Sequence, residues 1–194
     1  LDLLSTMGGY YNKIIGNPPY GAWQDYAKRD KLKKRNGGYV RETYALFLRR
    51  CINLLTNKGR LVFIIPDTFL ALRLHKGLRQ FLLRNVVIEE ILLIPSKYFP
   101  GVNFGYSNLC IISFFKKAPS EIDRFNLVKI TKDINTLYKL ANNDYSSVDK
   151  RVSTLQSEIL QNLDYSFYLN GSEKINKLVN TSQTTLGDIA NCVT

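Results

Sequence analysis

One polar residue, two prolines and a tyrosine, Asn17-Pro18-Pro19-Tyr20, stand shortly after an apolar run that ends at Ile15. Because proline lacks an N–H and its φ is locked, the Pro18 carbonyl is a rigid acceptor that points in one direction. The Asn17 side-chain oxygen is a second acceptor beside it. Accepting both N–H groups of a planar exocyclic amine would draw its nitrogen toward tetrahedral geometry and turn its lone pair toward an electrophile. Tyr20 would stack on the ring that carries the amine.

This pair of acceptors suits methyl transfer to a nucleobase amine. A sulfonium methyl donor would supply the electrophile, and the protein would place donor and acceptor in line. The amine of adenine lies inside the duplex, so the base would have to be flipped out, into a pocket with aromatic faces on both sides. Taken alone, the four residues fit a turn that ends a strand equally well.

The charge of the chain favours a polyanionic partner. Its 194 residues carry a formal charge of +11, from 27 basic and 16 acidic side chains. Nucleic acid is preferred to a membrane, because the apolar runs end well short of the roughly 18 residues that a spanning helix needs. A basic loop follows the motif, and we expect it to contact DNA phosphates, although most charge runs are merely solvated. Its basic residues are Lys28, Arg29, Lys31, Lys33, Lys34 and Arg35.

Cysteine and histidine are too few and too scattered for a metal site. Cys51, Cys110 and Cys192 are widely spaced and odd in number, which predicts reduced thiols in an intracellular, cytoplasmic protein. His75 is the single histidine, so no ligand pair exists for zinc and no metal is expected. We expect His75 on a helix surface, where it, Arg73, Lys76 and Arg79 are weaker candidates for phosphate contacts.

Apolar runs that alternate with helical patterns predict an α/β layer. Strands are predicted over 10–16, 60–66, 86–94 and 109–115, and helices over 42–55 and 69–83. The motif therefore follows the carboxyl end of a buried strand, where open α/β sheets bind ligands. No helical pattern separates the last two strands, which predicts an antiparallel pair at one end of the sheet. After Pro119 the chain becomes polar, and modest helical patterns over 152–163 and 173–179 predict a mainly helical extension.

Three sequence segments occur in this order: YNKIIGNPPYG, YALFLRRCINLLTNKGRLVFIIPDTFL and YFPGVNFGYSNLCIISFFKK. In content, order and spacing they resemble the gamma-type adenine-N6 DNA methyltransferases, including those fused to restriction enzymes of type IIG. The resemblance implies that residues 1–118 form the C-terminal half of a Rossmann-like, S-adenosylmethionine-dependent methyltransferase sheet. It also implies methyl transfer to a flipped-out adenine of double-stranded DNA, in a restriction-modification or related defence system. Whether a nuclease domain or subunit accompanies it, and the oligomeric state, stay open.

The same resemblance assigns roles to individual residues. Asn17 and Pro18 are carried over as the acceptors of the target amine, with Pro19 and Tyr20 completing the catalytic motif. Tyr20 is one stacking face and Phe99 the opposite one, although an aromatic residue at position 99 is also an ordinary core residue. Asn17 and Phe47 are expected beside the cofactor. A phenylalanine on a helix packed against a sheet is equally often part of the core.

Some parts of the family pattern are missing. The glycine-rich cofactor loop is expected upstream of Leu1, and Gly8-Gly9 cannot replace it because they immediately precede the catalytic strand. Residues 119–194 are expected to lead into a target-recognition domain, whose beginning the tail TLGDIANCVT resembles. The chain alone is therefore expected to be inactive. Two alternatives remain: a methyltransferase acting on a glutamine amide or a guanine amine of ribosomal RNA, and a non-catalytic nucleic-acid-binding module.

Overall fold

The computed structural model describes residues 9–21, 42–99, 108–130, 133–167 and 181. Six strands form one sheet: β1 (Tyr11–Gly16), β2 (Leu55–Pro66), β3 (Val87–Ile94), β4 (Leu109–Phe115), β5 (Arg124–Lys129) and β6 (Lys150–Leu155). The α-helices are α1 (Thr43–Leu54), α2 (Lys76–Asn85), α3 (Asn135–Ala141) and α4 (Gln156–Ile159). Short 3₁₀ turns cover Asp67–Leu70, Arg73–His75, Ser96–Tyr98 and Leu163–Tyr165. Among these described helices, none has the length and apolar character needed to cross a bilayer.

The strand order is β1-β2-β4-β3-β5-β6. β1 and β2 are parallel, whereas β4 runs antiparallel to both of its neighbours, β2 and β3. Leu109 at the start of β4 pairs with Pro66 at the end of β2 and with Ile94 at the end of β3. The carboxyl ends of β1, β2 and β3 therefore meet the amino end of β4. We call this side of the sheet the carboxyl edge.

The predicted antiparallel pairing of the last two apolar runs is confirmed, but their predicted place at a sheet end is wrong. β4 lies inside the sheet because β5 pairs with the free side of β3, and β6 then pairs with β5. The sheet thus continues past residue 118, and the segment predicted to be mainly helical contributes two strands beside its short helices. The boundary proposed at residues 118 and 119 stays a prediction. The pattern over 173–179 lies outside the described residues.

Two further expectations differ from the structure. β1 was expected to be buried, but it is the edge strand of the described sheet, and Ile15 is 85% exposed. The helix predicted from residue 69 begins only at Lys76, after two 3₁₀ turns. His75, expected on a helix surface, is 1% exposed and lies in the core. Its burial follows from this late start, since the 3₁₀ turns direct the His75 ring inward to the Tyr44 hydroxyl, where Nε2 is 3.2 Å away.

Each face of the sheet has its own apolar cluster. The larger cluster lies between the sheet and the helices α1, α2 and α4, and it takes Leu61, Phe63 and Ile65 from alternate positions of β2. The smaller cluster lies on the opposite face, where residues of α3 cover Ile94 and Val128. Strands that supply apolar residues to both faces are rich in apolar residues without strict alternation, which explains why β2, β3 and β4 were recognisable from the sequence.

A fully buried arginine joins two segments that are far apart in sequence. The Arg79 guanidinium donates from Nη1 to the carbonyls of Phe69 and Leu72, at 2.7 and 2.8 Å. Its Nε and Nη2 both donate to the Asp164 carbonyl, at 3.0 and 2.8 Å. Asp164 adopts a left-handed conformation with φ of 53°, and its carboxylate binds Lys76 at 2.8 Å. Arg79 thus fixes the segment after β2 to the segment after α4.

Replacing Arg79 with methionine should destabilise the protein by about 3 kcal/mol, because one buried and two part-buried carbonyls lose their donor. The free energy of unfolding, measured by urea titration, tests this expectation. Arg84→Met is the matched control, since Arg84 is exposed on the same helix and its loss should change stability by less than about 0.5 kcal/mol. Equal effects of the two substitutions would contradict the structural role of Arg79.

Candidate active site

The motif begins where β1 ends against its neighbour. Gly16 pairs with Phe63, and a Cβ atom at Gly16 would come within 3.1 Å of the Phe63 ring. This close approach favours glycine at the end of the strand. Beyond it, Pro18 is buried whereas Asn17 and Pro19 are exposed. The chain therefore anchors the loop through Pro18 and presents the Asn17 side chain at the surface of the carboxyl edge.

Tyr20 folds back onto the motif. Its hydroxyl donates a hydrogen bond to Asn17 Oδ1, and the Ile64 carbonyl oxygen lies 3.2 Å from the same hydroxyl. The half-buried ring packs against the larger apolar cluster. Burial raises the pKa of Tyr20, and the electrostatic influence of Cys110 adds to the effect. The phenol is therefore a protonated donor at neutral pH.

Asn108 joins the ends of three strands at the carboxyl edge. Its carbonyl accepts from the Asp67 backbone N–H at 3.0 Å, and its side-chain oxygen accepts from the Ser96 N–H at 3.3 Å. Burial raises the pKa of the Asp67 carboxyl, although hydrogen bonds from Asn108 to the carboxylate oppose the shift. These contacts hold the end of β2, the end of β3 and the start of β4 in one arrangement. Sequence reasoning missed both Asp67 and Asn108, although each stands directly beside a predicted strand end.

The amino end of α1 is attached to the motif loop. The Gly21 carbonyl accepts hydrogen bonds from the Thr43 backbone N–H at 3.1 Å and from its hydroxyl at 2.6 Å. Tyr44 follows and points into the core. Phe47, one turn later, is 41% exposed. The interpretation of Phe47 as a core residue is therefore wrong, and its expected place beside a cofactor stays a prediction.

The two aromatic residues expected to face each other across the target base pack against different clusters. Tyr20 contacts the larger cluster, whereas Phe99 contacts the smaller one on the opposite face of the sheet. Packing against different clusters does not by itself support a shared stacking pair, so the stacking role of Phe99 stays a prediction. The predicted basic loop, which includes Lys28 and Arg35, lies outside the described residues. Arg79 is buried and cannot serve as a phosphate contact.

The fold is that of S-adenosylmethionine-dependent methyltransferases. It is similar to a proposed class I enzyme of this type from Listeria monocytogenes, with a TM-score of 0.51, 19% identity, and coverage of 71% of this chain and 43% of that one. It is also similar to the methyltransferase subunit of a type I restriction-modification system from Streptococcus thermophilus. There the TM-score is 0.57 and the identity 16%, over 82% of this chain and 37% of the other.

The family model of the Eco57I restriction-modification methylases matches residues 5–99 of this chain. This match confirms the resemblance to restriction-modification methyltransferases that the three sequence segments indicated. The type II methyltransferase M.HincII of Haemophilus influenzae is 32% identical over 128 residues. The match covers 62% of this chain and 24% of that protein, so the chain spans about a quarter of the length of this relative.

The raised pKa of Asp67 predicts a specific pH dependence. Folding raises the pKa of this carboxyl, so the folded protein holds its proton more tightly than the unfolded chain does. The free energy of unfolding should therefore fall as the pH rises above about 4, the ordinary pKa of an aspartate. Relative to the wild type, Asp67→Asn should therefore be more stable at pH 7 than at pH 3. Urea unfolding at both pH values measures the difference.

Asp123 provides a control with the opposite sign. Hydrogen bonds from Ser120 lower the pKa of the Asp123 carboxyl, so its contribution is present at neutral pH and is lost as pH falls. At neutral pH, Asp123→Asn should be less stable than the wild type, and this difference should shrink as the pH falls. If Asp67→Asn and Asp123→Asn showed the same pH trend, burial would not be raising the pKa of Asp67.

Proposed function

We propose that this chain carries the target-amine site of an enzyme that methylates the N6 amine of adenine in double-stranded DNA, as part of a restriction-modification system. The observation that carries the proposal is the arrangement of the motif. An exposed side-chain amide, that of Asn17, stands beside a buried proline at the carboxyl edge of the sheet. Ligands of open α/β sheets bind at this edge, so the acceptors lie where a reacting group would enter.

The acceptors would act on the geometry of the amine rather than remove its proton at the start. Asn17 Oδ1 and the Pro18 carbonyl would each take one N–H hydrogen bond, which localises the nitrogen lone pair. After transfer the nitrogen would carry a positive charge, which both oxygen atoms stabilise until its proton leaves to solvent. No basic side chain of high pKa is needed for this sequence.

The described residues fit one side of S-adenosylmethionine. Phe47 offers an exposed aromatic face at the amino end of α1, and Gly21 ties that end to the motif loop. Phe47 would hold the adenine ring of the cofactor, and Asn17 would lie beside its methyl group. The cofactor supplies the electrophilic methyl group. No described residue is proposed to hold the remaining parts of the cofactor.

DNA is the proposed substrate because the chain is strongly basic and because it is similar to a type II methyltransferase. A formal charge of +11 favours binding to a polyphosphate backbone, with an affinity that falls as salt rises. The relative M.HincII is a type II methyltransferase, which supports transfer within a restriction-modification system. A glutamine amide or a guanine amine presents the same chemistry to Asn17. Product analysis separates these substrates.

Asn17→Ala should lower kcat for methyl transfer at least ~100-fold, because the amine loses an acceptor aimed at the transition state. Its affinity for S-adenosylmethionine should stay within about threefold of the wild type. The assay uses the protein made from its complete reading frame, duplex DNA and radiolabelled cofactor, followed by digestion to nucleosides and detection of N6-methyladenine. Calorimetry measures the affinity for the cofactor.

Asn57→Ala is the matched control, since Asn57 is exposed near the opposite end of β2 and should leave both quantities unchanged. An Asn17→Ala protein that transfers methyl groups at the wild-type rate would remove Asn17 from the mechanism. Methyl label found on protein, on RNA guanine or on no acceptor at all would overturn the proposed function itself.

A further inference from the structure

The Tyr20 hydroxyl lies between two acceptors and has one hydrogen to give. Asn17 Oδ1 is its hydrogen-bond acceptor, and the Ile64 carbonyl oxygen lies within reach at 3.2 Å. β1 ends opposite Phe63, and the Tyr20 hydroxyl lies beside the carbonyl of the next residue of β2, Ile64. A hydroxyl can donate to only one of two such oxygens with full strength.

The choice of acceptor decides which end of the Asn17 carboxamide is available. When the hydroxyl donates to Asn17, Oδ1 is drawn toward Tyr20. When the hydroxyl donates to Ile64 instead, the tyrosine oxygen becomes an acceptor. A rotation of the carboxamide by about 180° then lets Asn17 Nδ2 donate to Tyr20, and Oδ1 turns to the other side. The Tyr20 hydroxyl and the Asn17 carboxamide stay hydrogen-bonded to each other in both arrangements.

We propose that the Tyr20 hydroxyl is a positioning group, which selects the end of the Asn17 carboxamide that meets the target amine by moving its hydrogen bond between Asn17 Oδ1 and the Ile64 carbonyl. The inference rests on the proposed function and extends it to a hydroxyl that stacking alone does not need. Only Oδ1 can accept an N–H of the target amine. An Nδ2 turned toward it would place two donors against each other.

The surroundings of Tyr20 support this role. The ring is held against the larger apolar cluster, so the hydroxyl stays near both acceptors. Burial raises the pKa of Tyr20, which keeps the hydrogen on the phenol. Asn17 itself is exposed, and its carboxamide therefore has room to rotate. Without the hydroxyl, nothing else described at this edge distinguishes the two ends of the carboxamide.

Tyr20→Phe keeps the ring and removes the hydroxyl. We expect kcat for adenine methylation to fall about 10- to 100-fold, as loss of one oriented hydrogen bond implies, with KM for DNA within twofold. Base flipping, followed by the fluorescence of 2-aminopurine at the target position, should be unchanged. Tyr10→Phe is the control, because Tyr10 is 56% exposed beside β1 and its substitution should alter none of these values.

Asn17→Asp supplies the second half of a double-mutant cycle. A carboxylate has an oxygen at each end, so no orientation needs to be selected. Adding Tyr20→Phe to Asn17→Asp should therefore lower kcat less than threefold. Where Asn17→Asp has no measurable activity, the result for Tyr20→Phe alone decides.

Wild-type kcat in Tyr20→Phe would overturn the inference, as would equal losses in both backgrounds of the cycle. A loss accompanied by a weaker 2-aminopurine signal or a higher KM would also overturn it, because the hydroxyl would then serve packing or stacking. Failure of the proposed function is a separate result. It would appear as absence of adenine methylation in the unaltered protein, before any variant is compared.

Discussion

β4 is inserted between β2 and β3, and its antiparallel direction brings the ends of both neighbours to the carboxyl edge of the sheet. Because β4 runs against both neighbours, its first residue is paired with the last residues of two other strands. Asn108, one position earlier, can then accept hydrogen bonds from the segments that follow both strands. A parallel β4 would start at the opposite side of the sheet. The polar residues around the Asn17 motif would then have no common support.

The elements that the sequence predicts well are those whose signal is local. Leu61 to Ile65 form a continuous apolar run, and Leu109 to Phe115 are apolar except for Ser113, so both segments are predicted as strands whatever their partners are. Their order in the sheet depends on partners far along the chain, which periodicity does not encode. β6 was missed for another reason, since its residues are mostly exposed and polar and only pairing with β5 makes it a strand.

In the candidate site, too, local features were predicted from the sequence and long-range ones were not. Asn17, Pro18 and Tyr20 were predicted together because adjacent residues after a strand end must stay together. The relation between Tyr20 and Phe99 was not predictable, since it depends on which face of the sheet each loop crosses. Arg79 was misjudged because arginine is rarely buried without partners. Its partners are carbonyl oxygens, which every residue possesses and which leave no mark in a sequence.

Those carbonyls also determine how the molecule opens. The segment from Phe69 to Leu72 and the segment at Asp164 are both hydrogen-bonded to the Arg79 guanidinium. In addition, the Phe167 N–H donates to the Leu70 carbonyl at 2.8 Å. Neither segment can detach without breaking hydrogen bonds of the other, so both belong to one cooperative opening unit. A force applied at Phe167 is therefore transmitted to the segment that follows β2, and so to the carboxyl edge, where that strand ends.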